Sequence, residues 1–243
     1  MALLPALLAV CSIFVLFFGL AGLYRWSKRV RGHKLVSVHA STKSNGNTTA
    51  KAQVSHRTLV LFGSQTGTSE GFAQELVQEI NVRFSSSTAA EARDLDGFEL
   101  ETLEHEDTVV FLVSTYGDGE PTDSAVDFFA ELDKYMETAA DERLFTLAHL
   151  SFAVFGLGNR QYEHFNASGK KVDKSLTSLG CSQIHTLGLG DDDQDIEGDF
   201  QSWLAELWPK LENKFGVKAN ETMAAEKPLP LFSVKTLPQG TRA

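Results

Sequence analysis

The segment GSQTGTS at residues 63–69 follows an apolar run, TLVLF, and contains hydroxyl side chains and glycines but no lysine or arginine. A loop that leads from a strand into a helix offers backbone N–H groups and the positive end of the helix dipole to an anion. Ser64, Thr66, Thr68 and Ser69 would add hydroxyl donors. Because the lysine of a Walker loop is missing, the pattern favours a phosphate that is held rather than transferred. An ordinary polar turn capped by Ser or Thr is the alternative.

Two further loops bring aromatic side chains to strand ends. STYGDGEPTD (114–123) carries Tyr116, and GLGNRQYEHFN (156–166) carries Tyr162 and His164. Taken singly, each tyrosine is typical of a surface aromatic and His164 of a structural hydrogen-bonding residue. If both of these loops border the phosphate loop, the three loops together predict a flat aromatic ligand that carries one phosphate.

A fourth loop, GLGDDDQDIEGDF (188–200), is strongly acidic and has no basic residue. Its carboxylates are Asp191, Asp192, Asp193, Asp195, Glu197 and Asp199. A solvated loop with acids at a helix N-terminus is one explanation, since the dipole favours negative charge there. A metal site is another, but no other feature supports it. The predicted position beside the ligand favours a third, a surface that docks a basic partner.

The spacing of apolar residues predicts the elements that position these loops. Continuous apolar runs at 57–62, 108–114 and 150–156 are typical of buried strands, 183–189 is a more polar strand, and 90–96 is a weak edge strand. Helical patterns occupy 69–84, 123–135, 169–180 and 196–207, and Pro209 either kinks the last helix or starts a new turn. Apolar strands alternating with helices predict an α/β fold, a doubly wound five-stranded parallel sheet. Ligands of such sheets bind at the carboxyl ends of the strands.

The N-terminal residues predict a membrane anchor. Residues 2–24 carry no charge, and this stretch is long enough to cross a bilayer. Five basic residues follow within 25–34. By the positive-inside rule the remainder of the chain is cytosolic; a cleaved signal and a buried core helix are the alternatives. Residues 35–56 are typical of a flexible tether. A net charge of −10 argues against nucleic acid as a partner, and two cysteines, Cys11 and Cys181, predict neither a disulfide framework nor a metal site.

The four loops together closely resemble the FMN-binding, flavodoxin-like domain of NADPH–cytochrome P-450 reductases. Their sequences are most similar to those of plant and algal members. The motifs that carry the resemblance are GSQTGTSEGFA, STYGDGEPTD, FGLGNRQYEHFN and LGLGDDDQDIEGDFQSW. The resemblance implies a flavoprotein oxidoreductase anchored in the endoplasmic reticulum membrane, with its folded domain in the cytosol. It divides the chain into an anchor (1–24), a tether (25–56), an FMN domain (57–220) and a tail or linker start (221–243).

The resemblance also implies a set of cofactor-binding residues and no catalytic side chain. The FMN phosphate would lie on Ser64, Gln65, Thr66, Gly67, Thr68 and Ser69. The ring would be lined by Ser114, Thr115, Tyr116 and Gly117, and by Leu157, Gly158, Asn159, Arg160, Gln161, Tyr162, Glu163, His164, Phe165 and Asn166. Tyr116 and Tyr162 would flank the ring, Asp192 would complete the site, and the acidic loop would face a haem protein such as a cytochrome P-450.

One departure from the family concerns the FAD- and NADPH-binding region, which in its members follows the FMN domain. Only a short tail follows KFGVKAN here, and no G-x-G-x-x-G stands between a strand and a helix. We therefore expect no NADPH oxidation from this chain alone and a reductase region in cis or in trans. A non-catalytic module that occupies the haem partner's docking surface is the alternative function. A hydrolase on the same fold is a third, but the loops offer no convincing Ser–His or Cys–His pair.

Overall fold

The computed structural model describes residues 56–138 and 146–219, in which one sheet has helices on both faces. The strands are β1 (His56–Gly63), β2 (Thr88–Asp94), β3 (Thr108–Tyr116), β4 (Glu120–Pro121), β5 (Ser151–Gly158), β6 (Ser182–Gln183) and β7 (Gly188–Asp191). The helices are α1 (Thr68–Arg83), α2 (Val126–Glu137), α3 (Ala167–Ser178) and α4 (Ile196–Phe215), with short 3₁₀ turns at Leu100–His105 and Asp123–Ala125.

The sheet has the order β2-β1-β3-β5-β6. Strand β7 pairs with the same side of β5 as β6 does, but further along β5. These strands are parallel; β4 alone among the described strands pairs antiparallel, with the end of β3. The predicted doubly wound, flavodoxin-like fold is confirmed. No helix within the described ranges is both long and apolar enough to span a bilayer. The predicted anchor lies outside the described residues.

Alternate residues of each strand supply two separate cores. On one face Leu59, Phe111 and Val154 pack with α2 and α3. On the other face Val60 and Phe155 pack with α1 and α4. Because both faces are covered, the central strands are apolar throughout, which is why the sequence pattern identified them.

The sequence predicts one continuous strand at 183–189, but the structure divides this region into β6 and β7. The pairing offset along the chain is 31 residues at Ser151 and Ser182 but 33 at Phe155 and Gly188. Two extra residues therefore bulge out between β6 and β7. His185, within the bulge, is buried and stacks on Trp203, with ring centroids 5.4 Å apart. Packing against α4 thus replaces strand pairing at this point.

The other elements differ from the sequence prediction mainly at their ends. The weak edge strand lies at Thr88–Asp94 rather than 90–96, and helix α4 continues through Pro209 to Phe215. A 3₁₀ turn at Asp123–Ala125 precedes α2, which begins at Val126 rather than 123.

The exposed edge of β2 is covered by a side chain of α1. The Asn81 amide nitrogen donates to the Ala90 carbonyl (3.0 Å), and the Ala90 N–H donates to the Asn81 amide oxygen (2.8 Å). The amide therefore satisfies the same backbone groups that a further strand would use.

Helix α3 approaches β5 unusually closely at two glycines. A Cβ built on Gly169 would lie 2.7 Å from the Gly156 Cα. No side chain fits between these backbones, so the helix packs directly against the strand that leads to the third loop.

Gly169→Ala should therefore destabilise the domain, although alanine is the better helix former. We expect a loss of about 1–3 kcal/mol from overpacking, measured as the free energy of unfolding in urea. Gly71→Ala in α1 is the matched control, because a Cβ there meets nothing within 4 Å. That variant should be stabilised by roughly 0.5–1 kcal/mol. Equal effects of the two substitutions would contradict the close approach.

Candidate functional site

A cleft of about 740 Å³ opens at the carboxyl ends of β1, β3, β5 and β7. All four predicted loops contribute to it. Its lining residues are Gln65, Thr66, Thr68, Ser114, Thr115, Tyr116, Gly117, Asp118, Leu157, Gly158, Asn159, Tyr162, Asp192 and Ile196. None of these is Lys, Arg or His, so the described lining carries no cation.

The first loop ends at the N-terminus of α1. Gly67, at φ 93°, is the N-cap residue, and its N–H donates to Ser64 Oγ at 3.0 Å. Thr66 and Thr68 line the cleft with their hydroxyl oxygens 3.2 Å apart. The first N–H groups of a helix have no intrahelical partner. The loop therefore presents hydroxyls and backbone N–H groups at the positive end of the α1 dipole, as an anion site requires.

Ser69 points its side chain away from the cleft. Its side chain is completely buried, and its Oγ lies 2.6 Å from Ser114 Oγ. It does not line the cleft; instead this hydrogen bond joins the first loop to the end of β3. Ser64 and Gly67 likewise shape the loop without lining the cleft.

The second loop is a tight hairpin between β3 and β4. Gly117 and Gly119 both have positive φ, 52° and 95°. A Cβ on Gly119 would lie 2.5 Å from His164 Cβ, so the third loop packs directly on this hairpin. Tyr116 stands at the mouth of the cleft with 54% of its surface exposed, and Asp118, which the sequence prediction missed, lines the cleft beside it.

The third loop divides into residues that line the cleft and residues that support it. Leu157, Gly158, Asn159 and Tyr162 line the cleft. The predicted residues Arg160, Gln161, Glu163, His164, Phe165 and Asn166 do not. Of these, Asn166 is completely buried, and its amide donates to the Gly190 carbonyl at 3.0 Å.

The fourth loop contains carboxylates with different environments. Asp192 lines the cleft, whereas Asp191 is buried, with 3% exposed. The hydrogen bond from the Arg160 backbone N–H, above all, holds the pKa of Asp191 below its usual range. Asp195 accepts the Gly198 N–H and so caps α4. The six acids of this loop therefore differ in role: Asp191 and Asp195 stabilise the loop, Asp192 lines the cleft, and docking by the others stays a prediction.

The cleft combines the features that a phosphorylated flavin requires. The hydroxyl and N–H groups of the first loop suit the phosphate, and the exposed rings of Tyr116 and Tyr162 offer surfaces for an aromatic ring system. Large apolar rings left in water at a cleft are typical of ligand sites. Among the described residues no cluster of His, Cys, Asp and Glu could hold a metal ion.

Comparison with known proteins gives the same result. The flavodoxin family model matches residues 60–203. NADPH–cytochrome P450 reductase of Homo sapiens is 40% identical over 188 residues, 76% of this chain and 27% of that protein. The reductase of Rattus norvegicus is 45% identical over 163 residues (66% and 23%), and that of Drosophila melanogaster is 37% identical over 219 residues (88% and 31%). The chain thus spans about a quarter of the length of these relatives. The resemblance seen in the four loops is confirmed; its plant or algal character remains a prediction.

Thr68→Glu should weaken FMN binding through charge. A carboxylate near the phosphate would repel it, since like charges about 4 Å apart cost ~4 kcal/mol at a protein surface. We expect the Kd for FMN, measured by fluorescence quenching, to rise at least tenfold. Thr68→Gln is the neutral control of similar size. Riboflavin has no phosphate, so its Kd should be the same in both variants; a rise for riboflavin with Glu would refute the phosphate assignment.

Tyr116→Ala and Tyr162→Ala should each weaken flavin binding through lost stacking. Stacking contributes ~0.5–1.5 kcal/mol beyond burial, which corresponds to a roughly two- to tenfold rise in Kd. The Phe variants keep the rings and should bind FMN like the wild type. Wild-type affinity in both Ala variants would show that the rings do not contact the flavin.

Proposed function

Because the chain belongs to the flavodoxin family and binds FMN, we propose that it is an electron-transfer domain that passes single electrons to a haem protein of the cytochrome P-450 type. The observation that carries the proposal is the setting of the cleft. Its mouth is open, two tyrosines stand exposed there, and carboxylates lie around it. A partner could therefore come within a short distance of a ring held between the tyrosines.

The protein itself supplies binding and an electrostatic field. Bound FMN can take up two electrons and give up one at a time, which is the chemistry a one-electron haem acceptor needs. Asp118 and Asp192 place two carboxylates on the cleft. Their charge disfavours further negative charge beside them, which makes a reduced ligand a better donor. The family resemblance further implies that the peptide of Gly117, which has φ 52°, would turn toward the ring.

Exposed acids beside the cleft favour a basic partner surface. Asp193 and Glu197 are exposed, and Glu197 lies in the first turn of α4. Opposite potentials accelerate the encounter of two proteins more than they tighten the complex. We therefore assign these carboxylates to docking, and exclude Asp191 and Asp195 because they hold the loop together.

The electrons would come from an FAD- and NADPH-binding reductase region, in cis or in trans. This part of the proposal rests on the names of the relatives, which are reductases of about four times the matched length. An anchor at residues 1–24 would hold the domain on the cytosolic side of the endoplasmic reticulum membrane, where a membrane-bound haem partner is concentrated.

Neutralising the docking acids should slow electron transfer and reduce its salt dependence. Asp193→Asn combined with Glu197→Gln removes two charges beside the cleft. Exposed charges are screened beyond about 8 Å at physiological salt, so the wild-type rate should fall as salt rises and the variant's rate should fall less. The measurement is the rate of haem reduction by chemically pre-reduced protein over a salt series.

The matched control removes two exposed charges from the opposite end of the sheet, where the strands begin. Glu104→Gln with Asp107→Asn changes residues before β3, far from the strands' carboxyl ends. This variant should keep the wild-type salt slope. Equal slopes in all three proteins would show that docking occurs elsewhere. Flavin binding without any haem reduction would instead favour the non-catalytic binding module.

A further inference from the structure

Tyr162 owes its position to a backbone turn rather than to packing. Its side chain is 66% exposed, so neighbouring side chains constrain it little. The turn is closed by the Tyr162 N–H, which donates to the Asn159 carbonyl at 3.1 Å, and by the Gln161 N–H, which donates to Asn159 Oδ1 at 2.9 Å. Any group that fixes this turn therefore also fixes the backbone from which the Tyr162 ring projects at the mouth of the cleft.

Asp191 contacts the turn at its second residue. Asp191 Oδ1 accepts the Arg160 backbone N–H at 2.9 Å, and Oδ2 accepts Arg160 Nε at 3.2 Å. The carboxylate is buried, whereas the Arg160 side chain is 66% exposed. The backbone bond is consequently the better shielded of the two and should contribute more than the ion pair.

Asp191 is itself held by the sheet. It is the last residue of β7, where it pairs with Gly158, and its N–H donates to Asp199 Oδ2 at 2.9 Å. Its Oδ1 also accepts the Asp193 N–H at 3.2 Å. The carboxylate thus joins a rigid strand end to two loops, one of which carries Tyr162.

We propose that Asp191 is a positioning residue for the flavin: it holds the 159–162 turn so that Tyr162 is preset against the ring. The proposal rests on FMN as the ligand of the cleft but not on the electron acceptor. It differs from a docking role, because Asp191 is buried and cannot meet a partner. It also differs from direct cofactor contact, because Asp191 does not line the cleft.

A carboxylate suits this position better than any neutral side chain. Oδ1 receives two backbone N–H groups and Oδ2 receives a guanidinium N–H. An asparagine could keep its one oxygen on both backbone N–H groups, but its amide nitrogen would then face the Arg160 guanidinium, and both backbone bonds would lose the strengthening that a charged acceptor gives. Asp191→Asn should therefore loosen the turn while changing the side-chain volume very little.

The test measures the Kd of FMN and of riboflavin for Asp191→Asn, together with thermal unfolding of the apoprotein. Both Kd values should rise by the same factor, roughly tenfold, because the two backbone bonds to this side chain lose their charged acceptor and because both ligands share the ring. Glu106→Gln is the control, because Glu106 is also buried but precedes β3 at the opposite end of the sheet. It should leave both Kd values unchanged.

The role of Tyr162 is tested by combining variants. If Asp191 acts through the turn, Asp191→Asn should weaken binding much less in a Tyr162→Ala background than in the wild type. Additive effects in this double variant would overturn the proposal. So would a loss confined to FMN, which would indicate the phosphate loop, or wild-type affinity in Asp191→Asn.

Arg160 provides a second approach if Asp191→Asn does not fold. Arg160→Pro removes the N–H donor at a turn position that tolerates proline, whereas Arg160→Met removes the guanidinium alone. We expect the proline variant to lose affinity for both flavins and the methionine variant to lose less than threefold. The reverse order would mean that the ion pair matters instead of the turn. Failure of the wild type to bind FMN would refute the cofactor assignment as well.

Discussion

Parallel strands can be joined only by crossovers, and this constraint determines where the protein can act. The connections after β1, β3 and β5 each contain a helix that returns the chain to the end where the strands begin, so these parallel strands all finish at the opposite end of the sheet. Helices α1 and α4 cover one face while α2 and α3 cover the other. The chain changes faces between β1 and β3, and a crevice remains outside their ends. The four polar loops meet at this crevice because each of them follows the carboxyl end of a parallel strand.

The crevice offers a phosphate hydroxyl and N–H groups rather than a cation, and this has an electrostatic consequence. A lysine in the first loop would offset the carboxylates of Asp118 and Asp192 on the same cleft. Hydroxyls and N–H groups at the α1 N-terminus hold an anion through short-range dipoles instead. The negative potential around the mouth is then preserved, and it can act both on the ligand and on an approaching partner.

The sequence predicts much of this architecture because the core strands are apolar on both faces. The pairing register of strands leaves no pattern in the sequence. The bulge at His185 could therefore not be predicted, because it depends on a contact with Trp203 that forms only in the folded chain. The loops could be assigned to the site from their strand ends. The direction of each side chain within a loop could not, because it depends on turn geometry. Ser69 is therefore buried, and Ile196 lines the cleft although it belongs to the predicted helix.

Acidic residues show the same limit. By residue type alone Asp191 and Asp192 are equivalent, and only the family resemblance singled out Asp192; in the structure Asp191 is buried under hydrogen bonds and Asp192 lines the cleft. The end of β7 separates them, because Asp191 is the last residue of the strand and Asp192 is the first residue beyond it.

The amide of Asn81 has a consequence for how the protein associates with others. An open sheet has two edges, and an uncovered edge invites a strand from another molecule, which forms a contact that dissociates slowly. At the β2 edge the Asn81 side chain already occupies the Ala90 backbone groups. A neighbouring copy of the domain would therefore find no free N–H or C=O group at this residue. One side chain of α1 thus interrupts this edge at Ala90 and disfavours association of two domains through it.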